Sequence, residues 1–197
     1  MAEIAPLAAT GETLNSELQS LIDFVGYRPN ALFTMAKRPG LLDAVLGLVR
    51  VTIRGDGHLP EAFRFLLAAE TSRVAGCRYS AAHAAHAAAH AGAPDDKIAA
   101  LPDYELSASF TPAERAALAL AGAGGDLTRP AKALFAAAKM HHTEDHLLEI
   151  LGTISLFGWF NRWNSLNGSD LEAEPAAFAE RVHWLRPDEF FRDRRKG

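Results

Sequence analysis

Glu70-Thr-Ser-Arg-Val-Ala-Gly-Cys77-Arg-Tyr-Ser80-Ala-Ala-His83 is the stretch on which the reading of this chain turns. A helix running into it ends near Gly76, and a second begins at Cys77. A thiol in the first turn of a helix faces unpaired backbone N–H groups and the positive end of the dipole, both of which favour thiolate. Arg78 adds positive charge in the same direction. His83 stands three residues beyond Ser80, one helical turn on, so the two side chains can meet. Glu70 lies two turns before Cys77 and reaches the same place if the break at Gly76 does not swing it away.

Outward from this junction the pattern is helix after helix. Pro60 opens the helix that carries Phe63, Leu66, Leu67 and Ala69 to Gly76, and Cys77 to Ala91 is alanine-rich with Gly92 as its C-terminal cap. Upstream, Thr13 to Val25 places Leu14, Leu18, Leu21, Ile22 and Val25 at helical spacing. Pro29 to Lys37 and Leu41 to Ile53 follow. Downstream, Thr111-Pro112-Ala113-Glu114 is a capping box with proline at the first helical position. Pro130 starts a helix reaching His141, Thr143 can cap one from Glu144 to about Trp163, and Pro175 opens a last short one. No strand pattern competes. The expectation is an all-α helical bundle in one domain over 1–197, its main part at about 60–180 with N-terminal helices over 13–54.

The 197 residues suffice for one domain with a substantial core. A net charge of −4 gives no cause to expect nucleic-acid or anionic-membrane partners, and the basic tail Arg192 to Lys196 reads as a solvated end. The first residues, Met-Ala-Glu-Ile-Ala-Pro, have no basic residue and no apolar run, so no secretory signal is expected. Ile150 to Phe160 is too short to cross a bilayer. A single cysteine excludes an internal disulfide and suits a reducing, cytoplasmic compartment.

Gly-Cys77-Arg-Tyr-Ser80-Ala-Ala-His83 resembles the Gly-Cys-x-Tyr-Cys-x-x-His core of the AhpD-like, carboxymuconolactone decarboxylase-like family, in a peroxidase-related branch where histidine follows the first cysteine by six positions. Ser155-Leu-Phe-Gly-Trp-Phe-Asn-Arg-Trp-Asn164 and Glu174-Pro-Ala-Ala-Phe-Ala-Glu180 are similar to that branch's C-terminal segments. The resemblance implies an AhpD-like helical bundle, assembly into at least a homodimer, and reduction of small peroxides by a cysteine pair with histidine and glutamate as proton relay. Carried over, Cys77 matches the first cysteine and His83 the histidine. Glu70 stands in for the relay acid, although the family's usual spacing lands on Phe65. Ser80 takes the place of the second cysteine, and a hydroxyl forms neither sulfenic acid nor disulfide. What the resemblance then leaves is a one-thiol cycle at Cys77, resolved by an external thiol or by another subunit and needing no cofactor, or else a lost activity.

Other constellations compete. Cys77 reads equally well as a small buried hydrophobe and His83 as a satisfied core histidine. His83, His86 and His90 form a stripe on one helix face, and His141, His142, Glu144 and His146 a second cluster. Histidines four apart can share zinc, but no motif supports a metal, and none is expected. Asn161, Arg162, Trp163 and Asn164 either line a pocket or tie a helix end to the body, and the structural role is favoured. Gly122-Ala-Gly-Gly125 follows no strand and is not a phosphate loop. The rival to a peroxidase is a non-catalytic helical scaffold or ligand-binding protein that keeps the family fold.

Overall fold

The capping box at Thr111 forms as its sequence dictates. The Thr111 hydroxyl accepts the Glu114 N–H, and the Glu114 carboxylate accepts the Thr111 N–H in return. Elsewhere too, the computed structural model, which describes residues 1–8 and 16–191, is helical, with no strand among the described residues. The proposed start at Thr13 and the basic tail fall outside the described residues.

Three N-terminal helices, α1 (Ser16–Val25), α2 (Asn30–Met35) and α3 (Leu41–Val49), come first, and α3 runs on into a π-helical turn at Arg50–Arg54. Next are α4 (Glu61–Ala75), α5 (Arg78–His90), the short α6 (Asp95–Ala99), α7 (Pro112–Gly125) and α8 (Lys132–Lys139). The long α9 (Glu144–Asn167) precedes α10 (Ala173–Arg181) and α11 (Pro187–Phe190). None of the helices among the described residues is long and apolar enough to cross a membrane.

At the centre, α4 packs against α5, α7 and α9. Alanine makes this possible: Ala68, Ala69, Ala81, Ala82, Ala85 and Ala88 are all fully buried, so the backbones approach closely, while Leu66, Leu67, Leu118 and Ile150 fill the space between layers. Burying each of those large aliphatic side chains contributes about 2 kcal/mol. A smaller cluster of Leu18, Leu32, Phe33, Met35, Val45 and Leu46 lies under α1–α3 and abuts Tyr79 and Trp159. Those N-terminal helices close one side of the site described below.

One boundary differs from expectation. Asn161 to Asn164 does not end α9; the helix continues to Asn167, where Gly168, at φ 59°, turns the chain out. The four residues keep helical hydrogen bonding, so their side chains project at helical spacing and Asn164 faces inward, buried.

Candidate active site

The junction between α4 and α5 sets the thiol in place. Gly76 adopts φ 72°, its N–H bonding the Arg73 carbonyl, and the Cys77 N–H bonds the Ser72 carbonyl at 3.0 Å. This is a Schellman ending, and the left-handed residue within it favours glycine. Cys77 thereby closes α4 and is also the N-cap of α5, one position before its first helical residue. Its side chain is buried, with Sγ 3.3 Å from Ser80 Oγ. Ser80 Oγ also accepts a hydrogen bond, 3.1 Å, from Asn164 Nδ2 of α9.

His83 does not bond Ser80, contrary to expectation. Its Nε2 lies 2.6 Å from Glu172 Oε2, and its Nδ1 is 2.9 Å from the Tyr27 hydroxyl. The ring stacks on Tyr79 with centroids 4.1 Å apart. Glu172 is the N-cap residue of α10, and its other oxygen accepts from the Tyr79 hydroxyl at 2.8 Å and from the Asn30 N–H. Burial pushes the Glu172 carboxyl up, but the His83 hydrogen bond and charge and the Asn30 N–H outweigh it and hold the group below the usual carboxylate range. Burial, reinforced by the Glu172 charge, drives the Tyr27 and Tyr79 phenols well up. Tyr27 therefore keeps its proton, and the His83 ring bridges the Tyr27 hydroxyl and the Glu172 carboxylate.

Glu70 is not part of this array. Its carboxylate is 1% exposed and forms a two-pronged pair with Arg73, 2.8 Å on each side. Glu70 faces α7 instead, its Oε1 3.4 Å from where a Cβ on Gly122 would stand. Phe65, where the family's spacing would put the acid, forms part of a cavity wall and stacks on Phe24.

That cavity, of about 100 Å³, lies between α5, α9 and the N-terminal helices. Tyr27, Tyr79, Ser80, His83 and Asn164 bring its polar side-chain atoms; the rest is aliphatic or phenylalanine, including Leu21, Ile53, Phe157 and Phe160. Cys77 sits one hydrogen bond behind Ser80.

The histidine clusters have other partners. His86 and His90 bring their Nε2 atoms to 3.2 Å, while His142 Nε2 bonds the Ala113 carbonyl. Among the described residues no three His, Cys, Asp or Glu side chains gather as a metal-binding group.

The family model described as "Carboxymuconolactone decarboxylase family" matches residues 39–123, the segment that holds Cys77, Ser80 and His83. The debrominase Bmp8, solved as a cysteine-to-alanine variant in complex with 2,3,4-tribromopyrrole, is 29% identical, with a TM-score of 0.86 over 92% of this chain and 98% of its own.

These matches support an AhpD-like, carboxymuconolactone decarboxylase-like reading, carried in sequence by residues 39–123.

An AhpD-core, peroxidase-related protein from Ralstonia eutropha JMP134, 23% identical, shares this family's fold with a TM-score of 0.71 over 89% of this chain and 96% of its own. A further AhpD-like neighbour, from Agrobacterium tumefaciens and described as a putative antioxidant defence protein, is 20% identical with a TM-score of 0.63 over 70% of this chain and 94% of its own. None of the curated proteins matches the chain. Within the AhpD-like frame the motif residues Cys77, Ser80 and His83 were visible in sequence. Glu172, Tyr27 and Tyr79 carry no sequence signal for a role at the site, and Asn164 shows in sequence only as a candidate pocket residue.

Proposed function

We propose that this protein is a thiol-dependent reductase of small apolar electrophiles, with Cys77 supplying both electrons. One observation supports this above others: a buried lone thiol is bonded to Ser80, and Ser80 lines an apolar cavity together with Tyr27 and His83 of the Tyr27–His83–Glu172 array. The α5 N-terminus favours negative charge on sulfur, and the array can deliver a proton into the cavity.

In the peroxidase form the substrate is an organic hydroperoxide, ROOH. The thiolate attacks the terminal oxygen, the O–O bond breaks, and its electron pair leaves as RO⁻, which takes a proton from the array to give ROH. Sulfur is left as the sulfenic acid. An external thiol condenses with it, releasing water and forming a mixed disulfide, and a second thiol frees Cys77. With one cysteine in the chain, both reducing equivalents come from outside. Such a cycle needs a reducing compartment, and we place it in the cytoplasm.

The likeness to the debrominase Bmp8 favours a second reading of the same site. Here sulfur takes a halogen from an electron-rich aromatic ring, the ring carbon takes the proton, and external thiol then displaces halide from the sulfenyl halide. The apolar walls suit a small organic ring as well as an alkyl hydroperoxide.

The test incubates the protein and a Cys77→Ala variant with cumene hydroperoxide or 2,3,4-tribromopyrrole in excess dithiothreitol. Cys77-dependent release of cumyl alcohol or bromide supports one form or the other. Product from neither substrate sinks the enzyme reading and leaves the scaffold.

A further inference from the structure

Ser80 occupies the place of a second cysteine and invites dismissal as a relic, but its hydrogen bonds argue otherwise. Asn164 Nδ2 donates to Ser80 Oγ over 3.1 Å. A hydroxyl that accepts there still has its own hydrogen to give, and Cys77 Sγ lies 3.3 Å away. The Asn164 amide is itself oriented, because its Oδ1 accepts the Ser169 hydroxyl at 2.9 Å. Ser169 is held in turn by its N–H on the Asn164 carbonyl, 3.1 Å, just past the Gly168 turn that ends α9. Taken from the far end, each donor fixes the next: Ser169 to Asn164, Asn164 to Ser80, and the last hydroxyl hydrogen points at sulfur. Cys77, Ser80 and Asn164 are 4%, 2% and 4% exposed, so solvent does not compete for these bonds.

We infer that Asn164 and Ser169 are positioning residues that make Ser80 a hydrogen-bond donor to the Cys77 thiolate. Serine at this place sustains the reactivity of the lone thiol instead of resolving a disulfide. The inference rests on Cys77 being the reacting group of the function proposed above, and deepens it.

The direction of the chain makes it testable without substrate. Aspartate at 164 is nearly isosteric but only accepts, so it draws the Ser80 hydrogen away from sulfur. Threonine at 80 retains the hydroxyl, whereas alanine removes it. Cys77 alkylation by iodoacetamide is followed by mass spectrometry from acid to alkaline pH, with each variant normalised to its own alkaline plateau. Normalisation removes differences in access alone. Ser80→Ala and Asn164→Asp are expected to lower the normalised rate at neutral pH about tenfold, the scale of one charge-assisted hydrogen bond, and to move the profile to higher pH. Ser80→Thr stays near wild type, and Ser169→Ala falls between. If Asn164→Asp does not fold by circular dichroism, Asn164→Ala replaces it; alanine leaves the Ser80 hydroxyl undirected but not drawn away, so its rate is expected to fall between Ser80→Ala and wild type. Profiles unmoved in Ser80→Ala and Asn164→Asp, or moved equally in Ser80→Thr, overturn the relay. A relay that behaves as expected in a protein that turns over no electrophile overturns the proposed function instead.

Discussion

Glu172 Oε2 lies 2.6 Å from His83 Nε2 although 89 positions separate the two residues. The α10 N-terminus carries the carboxylate to the imidazole, and Tyr79 and Asn30 bond its other oxygen. Because the folded pKa of Glu172 is depressed, its contribution is present above the ordinary value of 4.5 and is lost as pH falls through the folded value. Glu172→Gln should therefore unfold about 2 kcal/mol more easily than wild type at neutral pH, with the gap closing in acid. Urea titrations at neutral and at strongly acid pH check this. An equal gap at both would mean that the carboxylate charge contributes nothing.

His86 works in the opposite sense to a stabilising ion pair. Burial, then His90, His83 and Arg181, bring its pKa from 6.5 to about 4, while Tyr27 and Phe178 pack on its ring. The unfolded chain binds the proton from about 6.5 downward and the native one only near 4, so this group costs stability as pH falls through that window. Its Nδ1 is buried with no hydrogen-bond partner among the described residues. His86→Leu should lose roughly 2 kcal/mol less than wild type between neutral pH and pH 4, read from denaturation midpoints.

Gly125 lets α7 lie against α4. A Cβ there would stand 2.5 Å from the Thr71 carbonyl oxygen and 3.0 Å from the Ala75 nitrogen, both backbone atoms that cannot step aside. Gly125→Ala should cost about 3 kcal/mol in thermal or urea unfolding. Gly124→Ala meets only the Ile154 side chain and should cost less.

Restoring the missing sulfur should change the chemistry visibly. With Cys77 Sγ 3.3 Å from Ser80 Oγ, Ser80→Cys brings two thiols within bonding reach. Peroxide should convert that variant to an intramolecular disulfide, two hydrogens lighter and reversible by dithiothreitol. Wild type under the same treatment should yield a dimedone adduct, absent in Cys77→Ala. A folded Ser80→Cys that never closes the bond would show that the side chains do not approach.

Assembly is expected to go beyond the single chain. Leu148 and Leu151 stand exposed on α9, with Leu48 and Val51 exposed on and just beyond α3. Light scattering should give at least twice 21.2 kDa at micromolar concentration; a monomer would refute the expectation.

Helix after helix was legible because helix signals are local. The Thr111 cap, the Gly76 stop and the alanine run of α5 act within one or two turns, and each formed as read. The position of Cys77 at a helix start and its three-residue spacing to Ser80 are equally local, and the thiol and hydroxyl do meet. The same short-range logic points to Glu70, but Arg73, one turn away, takes its carboxylate, which faces α7 and not His83. The partners of His83 and Ser80 come from 56, 89 and 84 positions away, at Tyr27, Glu172 and Asn164. Spacing along a chain carries no record of such meetings. They arise when burial of the apolar faces of α4, α5 and α9 fixes how the helices cross, so the sequence by itself determined the helices and the thiol, and packing alone decided which groups surround it.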